Sequence, residues 1–161
     1  MIHHPIEPVY NEYSRVLILG SFPSVKSREE MFFYGHPQNR FWKVLAAAFE
    51  CEAPRSVEEK REFLLSHGIA LWDVIESCDV TGSADSSIKN VVPNDLGRIL
   101  SHAPIERIFI NGKTAEKFYR KYQAGSVGGE WTCLPSTSAA NASWSMDRLI
   151  NAWRSIRVDN K

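Results

Sequence analysis

The sequence predicts an α/β protein, a three-layer α/β/α arrangement with a central four-stranded parallel sheet, and three observations lead there. Four short apolar runs, Val16-Leu17-Ile18-Leu19, Ile69-Ala70-Leu71-Trp72, Arg107-Ile108-Phe109-Ile110 and Trp131-Thr132-Cys133-Leu134, have the length of strands. The first is aliphatic throughout, as a strand covered on both faces must be. Stretches of helical spacing lie between the runs and are long enough to bring each strand back parallel to its predecessor.

Taken in order, the first strand ends at Gly20 and residues 21–36 read as a loop. Pro37 marks a place where a helix can begin, because the first turn has no use for the N–H that proline lacks. Asn39, Arg40 and Phe41 then fall in the first turn, and Phe41, Leu45, Ala48 and Phe49 recur at helical spacing. A second helix spans 56–67, with Ser56 and Glu59 as a capping box and Val57, Phe63 and Leu64 on its buried side, closed by Gly68. The strand at 69–72 leads to Asp73, read as a solvated turn carboxylate or a seat for a catalytic acid. Residues 77–90, rich in Ser, Asp and Gly, read as a long loop that is functional or mobile. A short helix at 95–102 precedes the strand at 107–110, Asn111-Gly112 turns the chain into a helix at 113–122, and the fourth strand, a loop at 135–140 and a last helix at 143–157 complete the chain. No repeat, low-complexity tract or linker divides it, so residues 1–161 are expected to form one domain.

Composition narrows the chemistry. With 19 basic and 19 acidic residues the formal net charge is zero, so any nucleic-acid contact must come from a local patch. The hydrophobic content of 43% contains no run of membrane-spanning length, and residues 1–8 lack the apolar segment of a signal peptide. Cys51, Cys78 and Cys133 form no C-x-x-C pair, which argues for a reducing cytoplasm and against an iron–sulfur cluster or structural zinc. Cys133 reads as an inert core thiol. His3, His4, His36, His67 and His102 show no ligand spacing, and His3 and His4 fall in a terminus expected to fray. Neither a metal nor a cofactor is expected.

In a parallel sheet the loops after the strands share one rim, where ligands bind. Ser21, Phe22, Pro23 and Ser24 after the first strand could hold an anion through backbone N–H groups and hydroxyls, but match neither G-x-G-x-x-G nor a P-loop. Pro135, Ser136, Thr137, Ser138, Ala139, Ala140 and Asn141 offer hydroxyls and small side chains suited to a phosphodiester backbone, or a plain loop capped by Asn141 or Ser143. Asn111-Gly112-Lys113 is equally readable as a simple turn. The segment Tyr34-Gly35-His36-Pro37-Gln38-Asn39-Arg40-Phe41-Trp42 carries most of the signal. An amide, a guanidinium and free N–H groups point one way between two aromatics, the combination that reads a base edge while stacking on its face. The plainer reading makes Phe41 and Trp42 core and Asn39 a helix cap.

Together, G-S-F-P-S, Y-G-H-P-Q-N-R-F-W, I-N-G-K-T-A and L-P-S-T-S-A-A-N resemble the uracil-DNA glycosylase superfamily, specifically its hypoxanthine-DNA glycosylase branch, over residues 16–157. The H-P-x-N-R-F-W-K-V segment is also similar to the mismatch-specific uracil/thymine glycosylases. The resemblance implies base excision repair: extrusion of a deaminated base, hypoxanthine foremost, and hydrolysis of its N-glycosidic bond by a monomeric enzyme acting on DNA. One departure stands out. Where those relatives carry an Asn or Asp in the strand-one motif, this chain has Phe22, and the resemblance implies that Asn39 takes over by orienting the attacking water. It further implies that Tyr34 stacks on the base, that Ser21, Phe22, Pro23, Ser24 and Asn111 hold it, and that residues 135–141 grip the DNA backbone. No lysine stands where an amine nucleophile would, so no strand-cleaving step is expected. Two alternatives remain open at this point: a uracil or mismatch-specific glycosylase, and a flavodoxin-like small-molecule or nucleotide-binding module.

Overall fold

The computed structural model describes residues 1–157; the last four residues of the expected domain lie outside the described residues. Strand β1 (Ile2–His3) opens the chain and β2 (Val16–Gly20) follows. The expected loop after β2 contains a short helix, α1 (Val25–Glu30), because Ser24 accepts the Ser27 N–H at 3.1 Å and caps it. Helix α2 (Phe41–Ala48) begins later than Pro37 suggests. Residues 36–39 form a turn instead, closed by the Asn39 N–H on the His36 carbonyl, and Asn39 precedes the helix. Helix α3 (Val57–Ser66) is capped by Ser56, which accepts the Glu59 N–H at 3.0 Å, while Glu59 reaches back to the Arg55 N–H at 2.8 Å.

Strands β3 (Ile69–Asp73), β4 (Ile75–Asp79) and β5 (Lys89–Pro93), helix α4 (Gly97–Leu100), strand β6 (Arg107–Asn111), helices α5 (Lys113–Tyr122) and α6 (Ala124–Val127), strand β7 (Trp131–Leu134) and helix α7 (Met146–Trp153) complete the order. Helix α7 is capped by Ser145 rather than started at residue 143, and a 3-10 turn, Arg154–Ile156, follows it.

The main sheet runs β3-β2-β6-β7, all parallel, with helices around it, which is the expected three-layer architecture. Every residue of β2 is buried, and Leu17, Ile18 and Leu19 have no solvent exposure at all. Each such side chain contributes roughly 1.5–3 kcal/mol by leaving water. Leu19 pairs with Trp72 and with Ile110, so Gly20, Asp73 and Asn111 emerge side by side at the carboxyl rim. Helix α2 packs on α7, where Phe41 meets the fully buried Trp153 edge to face at 5.8 Å.

A second sheet, β1-β4-β5, is antiparallel and departs from the expected frayed terminus and long loop. Its polar composition hides it: Ser77 is buried, while β5 is an edge strand with Lys89, Asn90 and Val92 facing out. Only residues 80–88 remain as loop, and they are tied down. Ser83 accepts the Val25 N–H at 2.9 Å, and Arg28 donates to the Gly82 carbonyl at 2.8 Å. Among the described residues no helix is long and apolar enough to cross a membrane.

Candidate active site

At the carboxyl rim a cavity of about 330 Å³ is lined by Gly20, Ser21, Phe22, Pro23, Ser24, Tyr34, Asn39 and Asn111, and by Ser136, Thr137, Ser138, Ala139 and Ala140. The loops singled out in the sequence therefore do converge. Pro135 and Asn141 stand behind the wall: the Pro135 carbonyl accepts the Trp153 indole N–H at 2.9 Å, and Asn141 donates to the Ser136 carbonyl at 3.0 Å. Both shape the loop from inside.

The orientation of Asn39 follows from its partners. Its Oδ1 accepts the Phe41 backbone N–H at 2.9 Å, and a backbone N–H can only donate, so this atom is the oxygen. The Thr137 hydroxyl donates to the same oxygen at 2.8 Å. Both lone pairs are used. The free end of the amide is therefore Nδ2, which has no protein partner among the described residues and borders the cavity. Asn39 thus ties down the first N–H of α2 and leaves a donor bordering the cavity.

Asn111 is fixed by the same logic. Its Oδ1 accepts the Thr137 N–H at 3.1 Å, and its Nδ2 donates to Thr137 Oγ1 at 3.1 Å and to the Tyr34 hydroxyl at 3.2 Å. Thr137 has no exposure, so it cannot touch a DNA backbone as expected from the sequence; it is the strut joining Asn111 to Asn39. Arg40 also departs from expectation. Its guanidinium does not line the cavity but donates to the carbonyls of Trp144 at 2.6 Å and of Ser138 and Asn141 at 3.1 Å, clamping the β7–α7 loop. Ser24 spends its hydroxyl on capping α1.

Tyr34 sits at φ 54°, a left-handed conformation costly for a bulky residue. It is held there by stacking on Phe41, with ring centroids 4.0 Å apart and planes at 16°, and by the adjacent Gly35 N–H bonded to Ser27 Oγ at 2.9 Å. One face of the ring is spent on Phe41, so a base could stack only on the other. The hydroxyl reaches deep. Burial, reinforced by the charge of Asp73, pushes the phenol well above the usual tyrosine value, so it remains a donor.

Asp73, the residue whose solvated reading fails, is 3% exposed. Its Oδ2 is 2.8 Å from His4 Nε2. Since His4 Nδ1 accepts the Ile6 N–H at 3.3 Å, the ring proton lies on Nε2 and points at the carboxylate. Asp73 Oδ1 has no protein donor among the described residues, and Asp73 belongs to the cavity wall. A Cβ on Gly20 would lie 2.6 Å from both Asp73 Oδ1 and the Tyr34 hydroxyl oxygen, so only glycine permits the two groups to approach this point. Asp85 adds a second carboxyl to the wall, 3.5 Å from Ser21 Oγ, and desolvation pushes it above the usual carboxylate range. The sequence offered the Trp72-Asp73 strand end as a hint of this half of the site. The reading of residues 77–90 as a functional or mobile loop covered Ser83 and Asp85 without singling them out, and nothing pointed to His4.

The model of the uracil DNA glycosylase superfamily matches residues 7–157. The chain belongs to that superfamily. It is 35% identical over 158 residues to a hypoxanthine DNA glycosylase of Methanosarcina acetivorans, covering 97% of this chain and 98% of the relative. A hypoxanthine DNA glycosylase of Methanosarcina barkeri is 32% identical over 136 residues, covering 83% and 85%. A solution NMR structure from Methanosarcina acetivorans, provisionally named a uracil DNA glycosylase, superposes with a TM-score of 0.80 at 31% identity, over 97% of this chain and 99% of that one. The chain is accordingly a DNA glycosylase of the monofunctional, hydrolytic kind, and the flavodoxin-like alternative falls. Phe22 on the β2 loop packs edge to face on His4, with ring centroids 5.9 Å apart.

Proposed function

We propose that this glycosylase removes a deaminated base, hypoxanthine foremost, by reading the lactam edge that deamination creates. The observation that carries the proposal is the pair of groups beside Gly20: Asp73 Oδ1, an acceptor without a partner among the described residues, and the Tyr34 hydroxyl, a donor, each 2.6 Å from where a Cβ on Gly20 would lie. Hypoxanthine presents a ring N–H next to a carbonyl, which complements an acceptor next to a donor. Adenine presents a bare ring nitrogen next to an amino group, so its ring nitrogen would face the carboxylate lone pairs. A site built to accept an N–H rejects analogues without one because its own buried group is left unpaired. The names of the Methanosarcina relatives favour hypoxanthine among the lactam bases.

Extrusion of the base precedes the chemistry, and its cost is least for weakly paired bases. With the base on Asp73 and Tyr34, the sugar lies toward Asn39. An amide cannot take a proton at neutral pH, so Asn39 acts by position: Nδ2 holds the oxygen of a water beneath C1′ while the glycosidic bond loosens and the sugar gains oxocarbenium character. The electron pair of the breaking C1′–N bond leaves with the base, and the proton that the water sheds as its C1′–O bond forms passes through solvent to the departing base anion, so no strong protein base is required. Phosphate contacts come from Ser136 and Ser138 at the cavity edge.

The test is base release in single-turnover reactions from duplexes carrying hypoxanthine, 1-methylhypoxanthine, xanthine, uracil or adenine at one position. Hypoxanthine is expected to be released fastest, with 1-methylhypoxanthine and adenine slower by about tenfold or more. Equal release of hypoxanthine and its 1-methyl form would rule out the lactam reading.

A further inference from the structure

A second cavity, of about 520 Å³, shares Tyr34, His36 and Asn39 with the active site, so only the thin segment 34–39 separates them. Its wall carries three cations, Lys43 from α2, Arg55 ahead of α3 and Lys60 within α3, against one acid, Glu52. None of the three makes an ion pair among the described residues. Lys60 is half-buried, with its ammonium 5.3 Å from the centroid of the Trp42 ring. Loss of hydration pushes that ammonium below the usual lysine value, opposed only by the charge of Glu30, so an anion in the cavity would restore what burial removes. In a chain of zero formal charge, such a cluster next to the site of chemistry is the local field that phosphate binding requires.

We propose that this cavity is a subsite for the nucleotide next to the extruded one on the same strand, its phosphate held by Lys43, Arg55 and Lys60. The inference rests on the glycosylase reading for its occupant. Covalent geometry supports the assignment: Asn39 faces C1′ from the active-site side, and the phosphodiester on either side of that sugar lies only a few bonds further along the strand. It must leave the first cavity past the segment 34–39, and the cavity on the far side of that segment offers cations. Pro37 and Pro54 give the same cavity rigid apolar wall for the sugar, and its volume falls in the range of ligand sites.

The experiment uses the full chain and duplexes with an abasic site, so that no base contact contributes. Lys43→Gln with Arg55→Gln, both at exposed positions, removes two charges without touching the residues placed around the base; Lys60→Gln is made separately because it also covers Trp42. The double variant is expected to bind about tenfold more weakly at low salt and to flatten the slope of log affinity against log salt by about one per lost contact. A neutral methylphosphonate placed at single linkages beside the abasic site should weaken the wild type at one position and have little further effect on the variant. Equal affinity and slope in both proteins, or identical methylphosphonate losses at every position, would overturn the subsite. The methylphosphonate scan on the wild type alone decides the matter should a variant fold poorly: no sensitive flanking linkage means no subsite. A wild type that releases no base while its salt slope responds to the substitutions would keep a nucleic-acid subsite and sink the glycosylase reading instead.

Discussion

A single amide illustrates how much a residue can say and where it stops. The setting of Asn39 between Pro37 and Phe41 made it a candidate, and it borders the cavity, but which of its atoms faces that cavity could not be read, because that depends on Thr137, 98 positions away. The bond to the Phe41 N–H and the bond from Thr137 consume the oxygen and leave the Nδ2 donor. Asn39→Ala removes donor and cap together and is expected to lower single-turnover base release by about 10²-fold or more. Asn39→Asp keeps both accepted bonds but replaces the donor by a charged acceptor, so it should be nearly as inactive while melting close to the wild type. An active Asn39→Asp enzyme would show that position 39 works through its oxygen. Tyr34→Phe makes the corresponding cut at the base: the ring keeps its stack on Phe41 and the hydroxyl is gone. Hypoxanthine release should fall about tenfold with affinity for abasic duplexes unchanged; full activity would return the work to the ring face alone.

At the scale of elements, the legible parts were those with strong local signals. The four strands of the main sheet, the cap of α3 and the start of α5 after Gly112 follow from apolar runs, an S-x-x-E pattern and a glycine at φ 93°. The β7–α7 loop shows the limit. Its small residues correctly placed it at the cavity, but composition did not distinguish the side chains that face a ligand from those that hold the loop. Arg40, through three carbonyls, and buried Thr137 are holders, whereas Ser136 and Ser138 border the opening. Ser136→Ala with Ser138→Ala should therefore weaken duplex binding and base release together, with only a small fall in melting temperature. Since Ser136 Oγ accepts the Ser138 N–H at 3.1 Å, a small stability loss, about 1 kcal/mol, is expected. Unaltered affinity across a salt titration would make the loop an ordinary connection.

Across the whole molecule, the part that sequence could not show is the second sheet and what it brings to the first. Residues 1–4 carry too short and polar a signal to be read as a strand, yet β1 pairs with β4 and delivers His4 under the rim of the main sheet. There it lies among Phe22, Phe33 and Trp72, with centroid distances of 5.9, 6.0 and 6.4 Å, and donates to Asp73. The side chains of this pair are 2% and 5% exposed, so solvent screens little of the interaction. Removing the donor leaves a buried carboxylate short of a hydrogen bond, which costs about 1.5–3 kcal/mol. For a chain of 161 residues that corresponds to a fall in Tm of roughly 3–12 °C. His4→Ala is expected to show that fall and, because Asp73 is no longer held, to lose discrimination between hypoxanthine and 1-methylhypoxanthine. The double variant with Asp73→Asn should be less unstable than the two single losses added together, since the neutral amide no longer needs the donor. Strict additivity of the two losses, with base discrimination intact in His4→Ala, would mean that the small sheet merely covers the large one and that Asp73 holds its position without help from the N-terminal strand.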